Sequence, residues 1–170
     1  MAETTAPHRA MLEWHDQGPL LATKADMSGL DYLTGLVEGR IVAPPVAQVM
    51  DIAVVSAEQG RVQFSMPVKE FFTNHLGVLA GGILSTVMDS ALGCAVLSLV
   101  KPDDDIVTLD LNIDFLRPIR RNSGPVTVNA EVVSLGRSRA LSTCQAVDVE
   151  GRICAIGKSS CLIRPKAPPR

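Results

Sequence analysis

The stretch that decides the fold is LGVLAGGILSTVMDSALGCAVLSLV, residues 76–100, in which Asp89 is the only formal charge. Its length meets the roughly twenty-residue requirement for crossing a bilayer. Asp89 in the middle opposes that reading, at a cost of about 2.5–3.5 kcal/mol on an insertion scale. Gly77, Gly81, Gly82 and Gly93, with Ser85, Thr86, Ser90 and Ser98, dilute the hydrophobicity further. A helix that is apolar nearly all round and stays out of a membrane must be wrapped by protein. Gly82 to Leu99 is therefore predicted to be a buried central helix.

The flanks say what wraps it. Val49 to Val55 is rich in β-branched residues, Glu58-Gln-Gly60 marks a turn, and Arg61 to Met66 alternates apolar with polar, which predicts two strands before the helix. After it, Val107, Leu109, Leu111, Ile113 and Phe115 share one face of an alternating segment, and Thr108, Asp110, Asn112 and Asp114 the other. Val126 to Leu135, Ala140 to Val149 and Arg152 to Ile163, separated by Gly136-Arg-Ser138 and Glu150-Gly151, predict a three-stranded meander. The order β-β-α-β-β-β-β implies an α+β fold, an antiparallel sheet curled around one long helix. Ser28 to Glu38 places Leu30, Leu33, Leu36 and Val37 at helical spacing ahead of Gly39, predicting a short extra N-terminal helix on the outside. A single domain over residues 27–164 follows, with tails at 1–26 and 165–170.

Composition excludes several function classes. The chain has 170 residues and a net charge of −2, so it has no basic excess for nucleic acid or for a basic membrane surface. Cys94, Cys144, Cys154 and Cys161 form no C-x-x-C pair and lie in apolar segments, as small buried hydrophobes do. With Met1 to Gln17 lacking an apolar h-region, a cytoplasmic location is the expectation. No cluster has metal-ligand spacing, so no metal is expected. There is no G-x-S-x-G elbow, and Gly81-Gly82 lacks the strand and acidic residue of a dinucleotide site, so no cofactor is expected either.

The chemistry is concentrated in Phe71-Phe-Thr-Asn74-His-Leu-Gly-Val-Leu-Ala80-Gly-Gly82, which runs straight into the helix carrying Asp89. A glycine pair at a helix start lets another molecule approach the backbone, and the first N–H groups there are unpaired donors at the positive end of the dipole. Such donors suit a carbonyl that gains negative charge during acyl transfer. Asp89 lies seven residues beyond Gly82, two turns on, where a carboxylate can serve as base or nucleophile.

The run from Asn74 to Asp89 resembles the hotdog-fold acyl-CoA thioesterases of the phenylacetate-pathway type, and the resemblance extends from about Pro44 to Ile163, through Phe115-Leu-Arg-Pro118 and Gly136-Arg137. It implies hydrolysis of an acyl-CoA thioester, with Asp89 as the catalytic carboxylate and Asn74 as the residue that positions nucleophile or substrate. It further implies the Gly81 backbone N–H as the carbonyl donor, Gly82 beside it, and Thr108 as a small hydroxyl near the acid. The strand alternation puts Thr108 opposite the apolar face unless a bulge re-aims it. Coenzyme A enters as part of the substrate, and its phosphates call for cations: Arg117, close to Arg120 and Arg121, and Arg137, close to Arg139, are the candidates. Ala80 stands where many members carry His, which keeps open a second reading, a non-catalytic acyl-CoA-binding or sensing protein. Unpaired sheet edges lead one to expect a homodimer, and the resemblance adds a homotetramer and sites between subunits.

Overall fold

Ser28 caps the first helix. Its Oγ accepts the Asp31 N–H at 3.1 Å, opening α1 (Gly29–Val37) as the apolar spacing requires, and Gly39 at φ 68° ends it. The computed structural model describes residues 7–16, 18–19, 24 and 26–165. Of the expected tails, 1–26 and 165–170, residues 1–6, 17, 20–23, 25 and 166–170 lie outside that set. Within it, the backbone N–H and ring Nδ1 of His15 meet Gln48 Oε1 at 2.9 and 2.8 Å, and Pro165 pairs with Asp104.

The strand expected from Val49 begins instead at Ala53, because Pro45–Met50 form a short helix, α2. Pro45 sits at the first helical position, where its fixed φ and missing N–H are tolerated. Asp51, in the left-handed region at φ 54°, stops the helix before it consumes the strand residues. Then come β1 (Ala53–Glu58), β2 (Arg61–Met66), a 3-10 turn (Glu70–Phe72), α3 (Gly81–Leu97), β3 (Asp104–Thr108), β4 (Asn112–Phe115), β5 (Val126–Leu135), β6 (Arg139–Val147) and β7 (Ile153–Pro165). They form one antiparallel sheet ordered β1-β2-β5-β6-β7-β3, with β4 also on β7.

The sheet wraps α3, which touches β2, β3, β5, β6, β7 and α1. Val87, Met88, Ala91, Leu92, Ala95 and Val96 have no exposed surface, so this helix is the axis of the core. At 17 residues it is short of a bilayer span, and among the described residues no helix is long and apolar enough to cross a membrane. The outer helix reaches α3 by backbone: a Cβ on Gly29 would stand 1.8 Å from the Leu97 carbonyl oxygen, so only glycine lets α1 settle there.

The alternating segment 107–115 departs from a single strand in a way that matters for the site. Thr108 pairs with Cys161 and Asn112 with Lys158, so four steps along this segment face three along β7, and one residue is bulged out. The extra residue reverses the parity of facing. Ile106 and Thr108 before it, and Ile113 after it, point toward α3: Ile106 Cδ1 lies 3.3 Å from a Cβ built on Gly93, and Ile113 pairs with Gly157, whose own Cβ would meet Met88. Val107, Leu109 and Leu111, expected on the covered face, are exposed. Asp110 pins the bulge: its Oδ1 accepts the Ser160 N–H at 3.0 Å, and its carbonyl accepts the Ser159 hydroxyl at 2.8 Å.

Candidate active site

The approach to α3 is a loop that closes on itself. Asn74 Oδ1 accepts the N–H of Leu76 at 2.9 Å and of Val78 at 3.4 Å, while Asn74 N–H donates to Val78 O and Gly77 N–H to Asn74 O. Gly77 takes φ 69°, the backbone state this tight turn needs. The Ala80 N–H donates to Phe72 O and the Leu79 N–H to Ile119 O, so the helix start is held from two sides. Asn74 thereby fixes where Gly81 lies, with its carboxamide oxygen already engaged.

Gly81 and Gly82 are the first two residues of α3, with Ala80 as N-cap and no side-chain cap on the helix. Their N–H groups belong to the orphan first turn and point out of the helix end. A Cβ on Gly82 would meet nothing within 4 Å, so the space over this backbone is open. Ser85 and Thr86 turn their hydroxyls back to the carbonyls of Gly81 and Gly82 at 2.8 and 3.0 Å.

Asp89, half-buried on the same helix, accepts a hydrogen bond on Oδ1 from Thr108 Oγ1 at 3.1 Å. The bulge makes this contact. An unbroken alternation aligned with Ile113 would turn Thr108 away from the helix. The neighbouring thiol offers no competing nucleophile, because burial pushes Cys94 up to about 12 and keeps it protonated.

A recess of about 330 Å³ opens beside the helix start, lined by Asn74, Gly81, Leu84, Phe115, Arg117 and Ile119 among others. It brings Asn74, Gly81 and Arg117 together, whereas Gly82, Asp89 and Thr108 stand apart from it. Arg117 Nη1 donates to the Ile153 carbonyl at 2.6 Å, and Arg121 pairs with Glu70 at 2.8 Å. Arg137 is exposed on the turn between β5 and β6, distant in the chain from the helix start. A larger depression, about 760 Å³, lies on the sheet face away from α3 among Gln63, Asn129 and Lys158. It holds none of the predicted site residues. Among the described residues no group of His, Cys, Asp or Glu is placed to hold a metal. Asp110 gave no functional signal in the sequence, because its role depends on the bulge, and Phe115 reads there as a strand residue on the covered face.

Residues 76–155 match the thioesterase superfamily, a span that includes Gly81, Gly82, Asp89, Thr108, Arg117 and Arg137. A Saccharolobus solfataricus protein designated an esterase is 34% identical over 113 residues, covering 66% of this chain and 79% of that protein. The chain belongs to the thioesterase superfamily. Human acyl-coenzyme A thioesterase 13 is 29% identical over 108 residues, 63% of this chain and 76% of the relative. Among solved structures, a thioesterase family protein from Silicibacter pomeroyi aligns with a TM-score of 0.71 and 28% identity, over 79% of this chain and 99% of that one. The helix wrapped in a curled antiparallel sheet is the hotdog architecture of that superfamily, and the chain is a thioester hydrolase by class.

Proposed function

We propose that the chain hydrolyses acyl-CoA thioesters in a site shared by two copies, with Gly81 of one facing Asp89 of the other. The observation that carries this is a separation. Gly81 and Asp89 are eight residues apart on one straight helix, about 12 Å along its axis. The Gly81 N–H also points out of the helix end, away from Asp89. A carboxylate activates a water only within about 2.6–3.2 Å of it, so one chain cannot offer both groups to one carbonyl. A second α3 packed antiparallel would bring its Asp89 opposite this Gly81. Among the described residues no strand pairs with the outer edge of β3 and β4, and Val107, Leu109 and Leu111 are exposed beside it, which supports pairing of copies there. Two such dimers would complete a homotetramer.

In this reading the thioester carbonyl oxygen docks on the Gly81 N–H, with the Gly82 N–H behind it. Thr108 occupies Oδ1 of Asp89 and leaves Oδ2 to a water. Asp89 takes a proton as the water oxygen bonds to the thioester carbon, and the resulting oxyanion is held by the backbone donor. Collapse breaks the C–S bond, and the sulfur leaves with the proton from Asp89, giving the free acid and the CoA thiol. The Ala80 side chain adds nothing to this scheme: the backbone donor does the polarising. Arg137, and Arg117 on release from Ile153, are the cations offered to the CoA phosphates. No metal or further cofactor enters.

The test is thiol release from short, medium, long-chain and aryl acyl-CoA substrates by wild type and Asp89→Asn. Release that drops by orders of magnitude in the variant, with unchanged ligand affinity, is the expected result. Saturable binding without turnover in the wild type would establish a binding protein in its place.

A further inference from the structure

The ring of Phe115, on the same inward side of β4 as Ile113, reaches the start of α3. Its Cζ, Cε1 and Cε2 atoms lie 3.1, 3.5 and 3.4 Å from a Cβ built on Gly81, so the ring rests on the backbone that supplies the carbonyl donor. The same ring is 54% exposed and forms one wall of the recess. The other apolar walls, Leu79, Leu84 and Ile119, are buried, whereas the Phe115 ring is exposed on its other side in the single chain. The recess is therefore an open slot with buried aliphatic walls, the polar groups of Asn74 and Arg117 at its rim, the Gly81 backbone in its lining and one exposed aromatic wall.

Its volume sets a scale. About 330 Å³ equals roughly eleven waters at about 30 Å³ each, room for an acyl group of about ten heavy atoms, so a sixteen-carbon chain would have to extend past the open mouth of the recess. An acyl group whose carbonyl sits on the Gly81 N–H has the recess as its nearest apolar shelter, and the Phe115 ring stands where a longer chain would have to leave. Resting on the thioesterase reading above, we propose that Phe115 is the specificity-determining residue of this site, closing the recess so that it accepts compact acyl groups and rejects long ones. The ring also sheds water from the carbonyl it covers.

The experiment compares wild type, Phe115→Leu and Phe115→Ala on a chain-length series from butyryl-CoA to palmitoyl-CoA. Calorimetric binding of two thioethers that cannot be hydrolysed, hexyl-CoA and hexadecyl-CoA, runs beside it. The wild type should prefer compact chains. In Phe115→Ala the ratio of kcat/KM for hexanoyl- to palmitoyl-CoA should fall at least tenfold, carried mainly by KM, with Phe115→Leu between, and the thioether affinities should shift the same way. Because the ring is exposed, the variants should melt near the wild-type temperature. An unchanged ratio, or equal losses on every chain length, would overturn the inference. If the wild type hydrolyses nothing while thioether selectivity still depends on Phe115, the catalytic reading fails and this one stands. If selectivity in binding is the same in all three proteins, this one fails whatever the turnover.

Discussion

Thr108→Val replaces a hydroxyl by a methyl in the same shape, and so removes one contact, the bond from Oγ1 to Asp89 Oδ1 at 3.1 Å. A hydrogen bond to an ionised carboxylate is worth about 1.5–3 kcal/mol, and the lower end applies because the Thr108 hydroxyl is solvent-accessible in a single chain. If that bond holds Asp89 toward its water in the transition state, losing about 1.5 kcal/mol lowers kcat roughly tenfold. Substrate affinity should stay within about twofold, since the hydroxyl is spent on the acid and not on the ligand. Steady-state kinetics on the best acyl-CoA substrate reads both parameters, with Thr108→Ser as the rescue. In an Asp89→Asn background the Thr108→Val change should cost nothing more, because the two residues act as one unit. A wild-type kcat in Thr108→Val, or a Thr108→Ser protein as slow as Thr108→Val, would refute the positioning role.

Other consequences are open to direct measurement. Leu92 has no exposed surface at the centre of α3, so Leu92→Ala should destabilise by about 2–5 kcal/mol and lower Tm by roughly 5–15 °C in calorimetry, whereas Leu76→Ala, 68% exposed, should shift it by under about 2 °C. Hydrogen bonds from the Ser160 side chain and backbone hold the Asp110 carboxyl below its ordinary value of 3.8. A depressed folded value means the stabilisation is present above that ordinary value and is lost as pH falls through the lower one. Tm curves of wild type and Asp110→Asn should therefore diverge near neutral pH and converge in strong acid. Burial pushes Cys94 and Cys144 each up to about 12, so neither should take iodoacetamide at pH 8 in the native protein, and mass spectrometry should find both alkylated after unfolding.

Much of the architecture is legible in the chain because it is written in burial. The apolar stretch 76–100 calls for a protein-wrapped helix once Asp89 and the glycines argue against a bilayer, and the structure forms it over Gly81–Leu97, while the meander 126–163 shows its turns as Gly-containing breaks between alternating runs. What the chain hides is local backbone geometry. Pro44-Pro45 reads as a breaker, yet Pro45 at a first helical position starts α2 and shortens the first strand. The even alternation from Val107 to Phe115 carries no mark of the bulge, which is made by Asp110 reaching Ser159 and Ser160, residues some fifty positions away. That one inserted step exposes Val107, Leu109 and Leu111 and turns Thr108 onto Asp89, while Ile113 and Phe115 beyond it keep the inward facing that the alternation predicts. Asp89 and the glycine pair stood out as candidates by their chemistry alone. Their separation of about 12 Å on one helix was implicit in the numbering, and only gained meaning once Gly81 proved to be the first residue of the same unbroken helix that carries Asp89, its N–H directed out of the helix end.

The shared site is tested most directly by complementation. Gly81→Pro deletes the carbonyl donor at a first helical position, where proline is tolerated and where Ala80, at φ −64° and ψ 135°, already has the geometry a following proline demands. Asp89→Asn deletes the base. Each variant alone should be inactive. Unfolded together in equal amounts and refolded, random pairing makes about half the dimers mixed, and each mixed dimer has one site with both Gly81 and Asp89 intact, so about one quarter of the wild-type rate should return. If both groups worked from a single chain, every site in the mixture would lack one of them, and the rate would stay at the level of the separate variants.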